Sequence, residues 1–148
     1  MKLIRITTDL KISTHDFPTG TYSKQNAVLR ELIGNGCGTI EHVRPMRLYE
    51  ELGCSASATR APSKAVSMLV DEEFLYKKDL EPNLVGCWLY GTDRHHYPIL
   101  GNILIVGEKL IDDGIDFCGI DEEVFDGLLK SLADVTCGLR EVKEMDEL

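Results

Sequence analysis

The fold is decided by residues 88–107, which read WLYGTDRHHYPILGNILIVG. This stretch contains the only Trp of the chain, two of its five Tyr and two of its four His. Its second half includes Ile103–Val106, four apolar residues in a row, a pattern typical of a strand that is covered on both faces. We therefore predict that Ile103–Val106 is the central strand of a sheet. The polar residues 93–97 before it are predicted to form a loop.

Three further strands follow from alternating apolar and polar residues, because every second side chain of a strand lies on the same face of the sheet. They are predicted at residues 2–8, 39–44 and 66–70. In the second of these strands, Ile40 and His42 fall on one face. Residues 107–110 are interpreted as a turn, and residues 111–117 as a loop or a short edge strand.

Two main helices are predicted, at about residues 24–33 and 121–135. Ser23 is placed to cap the first helix, since a hydroxyl at this position can accept a hydrogen bond from a free backbone N–H. Asp121 opens the second, where the helix dipole favours acidic side chains. The small and polar residues 54–63 are interpreted as a mobile surface loop.

These elements predict a single compact α+β domain over residues 1–138, with a mixed or mainly antiparallel sheet of about 4–6 strands. Residues 139–148 are predicted to be a polar, frayed tail. No apolar run approaches the roughly 18 residues of a membrane span, and the first residues lack the apolar segment of a signal peptide. The five cysteines contain no C-x-x-C pair, which favours reduced thiols. We therefore expect a cytoplasmic protein without a membrane partner.

The net charge of −9 is distributed unevenly along the chain. Residues 1–64 carry nine Lys and Arg against six Asp and Glu, whereas residues 65–148 carry seven against nineteen. Because nucleic-acid-binding surfaces are basic, nucleic acid is not an expected partner of the acidic part. A local basic site in the first part stays open as an alternative to plain surface. It would comprise Arg44, Arg47, Arg60 and Lys64.

The acidic residues suggest an interaction protein without intrinsic catalysis, which binds a protein partner or a second copy of itself. The residues predicted to bind the partner are Asp112, Asp113, Asp116 and Glu122. The spacing of these carboxylates does not fit a calcium-binding loop, in which the glycine comes later. No metal ion and no cofactor is expected.

A second hypothesis is a small-molecule-binding site or a hydrolase in the loop between Tyr90 and Tyr97. Its candidate catalytic residues are Tyr90, Asp93, His95 and His96. Histidine is the natural acid or base near neutral pH, but adjacent histidines point to opposite sides of an extended chain. The sequence contains no nucleotide-binding, serine-hydrolase or zinc-protease motif. Enzymatic activity is therefore not the favoured interpretation.

Six short segments of the chain together resemble one protein family. They are LRELIG at 29–34, GTIEHV at 38–43, LVDEEF at 69–74, PNL at 82–84, LYGT at 89–92 and PILGNILIVG at 98–107. In that order they resemble an uncharacterised family of small proteins, classed as a domain of unknown function, from phage, plasmid and bacterial genomes, with some members in algae and large viruses. The resemblance covers residues 24–135. It implies a compact α+β domain of mobile-element or accessory type, and it implies no activity and no catalytic residues.

Overall fold

Six strands form one antiparallel sheet in the computed structural model, which describes residues 1–60 and 64–146. The strands are β1 (Lys2–Ile6), β2 (Ile12–Asp16), β3 (Ile40–Val43), β4 (Val66–Asp71), β5 (Ile103–Ile111) and β6 (Gly114–Cys118). Their order across the sheet is β2-β1-β5-β4-β3, and β6 pairs with the second half of β5. The predicted α+β class and mainly antiparallel sheet are confirmed.

Five α-helices cover the two faces of this sheet. They are α1 (Tyr22–Ile33), α2 (Met46–Glu50), α3 (Leu84–Tyr90), α4 (Thr92–His95) and α5 (Glu122–Asp146), with a short 3₁₀ helix at Phe74–Tyr76. One face of the sheet packs against α2, α3 and α5 through a large apolar cluster that includes Leu48, Leu89 and Leu132. The opposite face packs against α1 alone, through Leu29 and Ile33. The second face is therefore only partly covered by a helix.

The predicted central strand is confirmed. Ile103, Leu104, Ile105 and Val106 are all fully buried in β5. The interpretation of residues 107–110 as a turn is wrong, because β5 continues through them to Ile111. Residues 114–118 return as β6 and supply the hydrogen-bonding partner for this extension, so the turn lies two residues further on, at residues 112–113.

The predicted first helix is confirmed, but its cap is Thr21 rather than Ser23. The Thr21 hydroxyl oxygen accepts a hydrogen bond from the backbone N–H of Lys24 at 3.3 Å. The last helix extends beyond its predicted end, from Glu122 to Asp146. Leu139 continues the apolar stripe of this helix onto the core, and Arg140 donates a hydrogen bond to the carbonyl oxygen of Leu10. Residues 139–146 are therefore helical.

The residues before the central strand are mostly helical, which corrects the predicted loop at residues 93–97. Asn83 caps α3 through its side chain, and Gly91 separates α3 from α4 in the left-handed conformation, at φ 82°. Of the predicted surface loop at residues 54–63, residues 61–63 lie outside the described part of the chain. Among the helices of residues 1–60 and 64–146, none is long and apolar enough to cross a membrane.

Candidate binding site

A buried carboxylate lies on the sheet face that α1 only partly covers. Glu108 in β5 has no solvent-exposed side-chain area, and it contacts His42 of β3 and Arg44, the residue directly after β3. The His42 Nε2 atom lies 2.7 Å from Glu108 Oε1, and the Arg44 Nη2 atom donates to Glu108 Oε2 at 3.1 Å. Because Arg44 lies two positions after His42 along an extended chain, both side chains reach the same face. We refer to Glu108, His42, Arg44 and the adjacent Ser67 as the Glu108 cluster.

The cluster keeps Glu108 ionised despite its burial. Burial, the largest single effect, raises the pKa of this carboxyl group. Close polar contacts with His42 and Ser67, together with the positive charge of Arg44, lower the pKa and outweigh burial. The net pKa of Glu108 is therefore below its ordinary value. Burial of a charged carboxylate costs free energy of desolvation, so stability alone does not account for the position of Glu108.

The hydrogen bonding of the cluster is incomplete. His42 Nε2 and Glu108 Oε1 lie 2.7 Å apart, but the contact is not aligned as a hydrogen bond, and the Ser67 hydroxyl also has no aligned partner. Within the described residues only one other buried side-chain polar atom, Arg30 Nε, shares this condition. Buried polar atoms in folded proteins are nearly always hydrogen-bonded. Three exceptions at one place mark the cluster as the leading candidate for a functional site.

A concavity of about 80 Å³ opens between α1 and the sheet, and His42 is the member of the cluster that lines it. It is lined by Phe17, Tyr22, Gln25, Asn26, Leu29, Ile40, His42, Asp116 and Phe117. The rings of His42 and Phe117 meet edge to face, with centroids 5.2 Å apart. The side-chain amides of Gln25 and Asn26 are half-buried and make no hydrogen bond within the described part of the chain. The concavity is thus lined by aromatic rings, by two side-chain amides that are free of hydrogen bonds in the described residues, and by the imidazole of His42.

The predicted catalytic residues lie elsewhere, around α3 and α4, on the opposite face of the sheet. His95 Nε2 lies 2.8 Å from the carbonyl oxygen of Tyr90, and its Nδ1 accepts a hydrogen bond from the backbone N–H of Tyr97 at 3.1 Å. Both ring nitrogens therefore hold the main chain in place. His96 is exposed and has a positive φ of 68°, at the end of α4.

Asp93, one of the candidate catalytic residues, forms a two-pronged ion pair with the buried guanidinium of Arg47, at 2.7 and 2.8 Å. Arg47 also lies over the Trp88 ring, 5.1 Å from its centroid. Hydrogen bonding from Arg47 lowers the pKa of Asp93 to about 2. A group that stays ionised at every ordinary pH is poorly suited to proton transfer. The contacts of Asp93 and His95 are those of structural residues.

The four acidic residues predicted to bind a partner lie on three different elements. Asp112 and Asp113 are exposed in the turn between β5 and β6, Asp116 lies on β6 beside the concavity, and Glu122 begins α5. Glu122 lines a separate, more open depression with Met1, Lys2 and Phe125. Of these four residues, the structure places only Asp116 at the concavity that His42 lines.

The basic residues considered as a local basic site each pair with an acidic residue of the second half of the chain. The pairs are Arg44–Glu108, Arg47–Asp93, Arg60–Asp112 and Lys64–Glu123. Their positive charges are thus compensated within the fold.

Residues 1–60 and 64–146 contain no group of three or more His, Cys, Asp and Glu side chains that could hold a metal ion. The chain matches no protein family model, no curated protein and no solved structure. The chemistry of the site therefore has to be argued from its own residues.

Sequence patterns predicted the orientation of His42 in this site but not the position of Glu108. The alternation in β3 placed His42 on the same face as Ile40, as the structure has it. Glu108 was missed, because Gly107-Glu108-Lys109 resembles a turn. The signal that could have found it is the continued alternation after Val106, which puts residue 108 on the same face as Leu104 and Val106.

Acid stability provides a test of the Glu108 cluster. Because the folded pKa of Glu108 is lower than the unfolded value, its carboxylate stabilises the fold above about pH 4.5, and this contribution is lost as the pH falls through the folded pKa. One such group changes the free energy of unfolding by at most about 1.4 kcal/mol per pH unit. We expect Glu108→Gln to be less stable at pH 7 and to lose less further stability on acidification. Urea titrations between pH 7 and 3, with the exposed Asp113→Asn as control, would measure this; parallel curves for wild type and Glu108→Gln would contradict it.

Proposed function

We propose that this chain is a non-catalytic interaction protein that binds a partner protein at the concavity above the Glu108 cluster. One observation carries the proposal: the charged, incompletely hydrogen-bonded Glu108 cluster shares His42 with a small concavity that has an aromatic wall. In some proteins, buried ionic groups serve specificity rather than stability.

The size of the concavity supports a side chain rather than a free small molecule as its occupant. Pockets for small ligands measure roughly 300–1,000 Å³ and enclose most of the ligand. This concavity measures about 80 Å³, which is sufficient for the end of one amino-acid side chain. The rest of the contact would then lie on the surrounding surface, as in protein–protein interfaces with one central anchor.

The rim of the concavity has the composition of such an interface. Tyr22, at the start of α1, is 73% exposed, and Phe117 is half-buried beside it. Tyrosine and phenylalanine are enriched in protein interfaces, and truncation of a central aromatic residue commonly costs 2 kcal/mol or more of binding, roughly a thirtyfold loss of affinity. Tyr22 has no core contact to lose, so its exposure favours a binding role.

The proposal predicts that Tyr22→Ser removes partner binding without loss of folding. Tagged wild-type and variant chains would be used to capture proteins from cells that express the chain naturally, with quantitative mass spectrometry as the readout. Tyr76→Ser is the matched control, because Tyr76 is 87% exposed and lies in the 3₁₀ helix, away from the concavity. We expect partners captured by wild type and Tyr76→Ser to be depleted at least tenfold with Tyr22→Ser. Equal capture by all three chains would refute the proposal.

The alternative function, a small-molecule site or hydrolase at Tyr90–Tyr97, has less support. A groove of about 170 Å³ is present there, lined by Glu41, Val43, Phe74, Leu75, Tyr90, Tyr97, Pro98 and Ile99. However, the only histidine stacked against this wall, His95, has both ring nitrogens occupied by the main chain within the described structure. Proton transfer by His95 would first require the Tyr90–Tyr97 turn to open. The groove therefore provides apolar contact area but no histidine with a ring nitrogen free to transfer a proton in the described structure.

A further inference from the structure

We propose that the group recognised in the concavity is the guanidinium of an arginine side chain on the partner protein. The inference rests on the proposed function, whose site it specifies. It depends on three properties of the concavity, namely its aromatic walls, its free hydrogen-bond acceptors and the unpaired carboxylate of Asp116.

The walls suit a planar cation. Phe17, Tyr22 and Phe117 line the concavity from three different segments of the chain. A guanidinium stacks on aromatic faces through cation–π attraction and is more weakly hydrated than an ammonium group, so it leaves water at a lower cost. This chain already contains such a contact, in which the guanidinium of Arg47 lies over Trp88.

The acceptors suit a group with five N–H donors. The amide oxygens of Gln25 and Asn26 face no competing partner in residues 1–60 and 64–146, and both side chains are half-buried. Arginine presents its donors in a fixed fork and cannot accept a hydrogen bond, so it matches a surface that offers free oxygens. A carboxylate side chain would instead be repelled by the acidic residues of the same surface.

One carboxylate at the concavity is unpaired. Asp116 accepts one hydrogen bond, from the backbone N–H of Phe117, and forms no ion pair with any described residue. Lys109 is its cross-strand neighbour but makes no ion pair with it. His42 and Arg44 both lie against Glu108. The carboxylate of Asp116 therefore remains available for a partner's positive charge.

The net charge of −9 supports the same choice of partner. Association between an acidic surface and a basic segment is accelerated by long-range attraction.

The test compares two capped tripeptides, Gly-Arg-Gly and Gly-citrulline-Gly, which have nearly the same shape and differ in charge. Binding to the full chain would be measured at low salt by chemical-shift changes of backbone amides and by the fitted Kd. We expect the arginine peptide to shift the amides of Gln25, Asn26 and Phe117, and the citrulline peptide to bind at least about fivefold more weakly. Asp116→Asn should weaken the arginine peptide by about fivefold, while Asp112→Asn, which removes the same charge from the same hairpin, should change its Kd by less than about twofold.

Three results would overturn the inference. Equal affinity for the citrulline peptide would show that the concavity recognises shape rather than charge, and partner capture that depends on Tyr22 would then still support the proposed function. Equal weakening by Asp112→Asn and Asp116→Asn would show a diffuse acidic surface without an arginine site. No shift of these amides by the arginine peptide would exclude guanidinium as the recognised group. Loss of the proposed function itself would appear separately, as partner capture insensitive to Tyr22→Ser.

Discussion

Replacement of Gly107 by alanine is expected to lower the free energy of unfolding by about 3 kcal/mol or more. A Cβ atom at this position would press on the carbonyl oxygen of Gly119, closer than van der Waals contact permits. It would also lie 3.0 Å from the carbonyl carbon of Gly119 and 3.2 Å from Cys118 Sγ. Because the closest obstacles are main-chain atoms, no side-chain rotation can relieve the clash. Overpacking of a tight site usually costs roughly 1–3 kcal/mol, and sometimes more when the backbone has to move.

Urea denaturation followed by circular dichroism would measure the effect. Gly138→Ala is the matched control, because Gly138 lies within α5 and a Cβ there meets no atom within 4 Å. Alanine is preferred over glycine inside helices by roughly 0.5–1 kcal/mol, so this control should be slightly more stable than wild type. If Gly107→Ala were as stable as wild type, the close packing of residue 107 against residue 119 would be incorrect.

The glycine at 107 also affects the candidate site. It is adjacent to Glu108, and its lack of a side chain lets the chain after β6 pass close to β5. β6 carries Phe117 and Asp116, which form one wall of the concavity. A displaced β6 would therefore separate this wall from α1. The fold and the site depend on the same close approach of two main-chain segments.

The sequence was most informative where one element is buried on both sides. Four consecutive apolar residues identify Ile103–Val106 as a covered strand whatever the rest of the fold is, because only a central strand removes every side chain from water. The helix at Leu84–Tyr90 is less apparent from the sequence. A short apolar run of seven residues fits either a strand or a buried helix, and periodicity cannot distinguish them.

The candidate site was less predictable because it depends on pairing between distant segments. His42 and Glu108 are 66 residues apart in sequence, and they meet only because β4 lies between β3 and β5. Local patterns give the face of each residue on its own strand. They do not give the strand order that brings two polar residues together, nor the position of α1 on that face of the sheet.

The adjacent histidines at residues 95 and 96 illustrate the opposite case, in which a pattern that suggests catalysis has a structural role. Their position before the central strand suggested chemistry, whereas the structure uses His95 to hold a turn. An imidazole has two ring nitrogens that can each bond to the main chain, so a buried structural role leaves the same signature in a sequence as a catalytic role does. Only the identity of its partners distinguishes the two.

Replacement of Asn83 by alanine is expected to be nearly as damaging as the change at Gly107. The side chain is fully buried and makes three hydrogen bonds that join separate parts of the fold. Its Nδ2 donates to the carbonyl oxygens of Ile6 and Gly101, each at 3.0 Å, and its Oδ1 accepts from the backbone N–H of Gly86 at 2.9 Å. Each buried group left without a partner costs roughly 1–3 kcal/mol. We therefore expect a loss of about 3 kcal/mol or more in the free energy of unfolding.

Asn26→Ala is the control for this experiment, since the Asn26 amide makes no hydrogen bond in the described structure and its loss should change stability by less than about 0.5 kcal/mol. Asn83→Asp separates the two roles of the residue. A carboxylate keeps the acceptor that caps α3 but places a negative oxygen against two carbonyl oxygens, so its pKa should rise and the variant should regain stability as the pH is lowered and it becomes a donor. Stability of Asn83→Asp that is equal to wild type at pH 7 would mean that the cap alone matters. A loss that is partly recovered at low pH would instead show that the two donor bonds join β1 to the segment before the central strand.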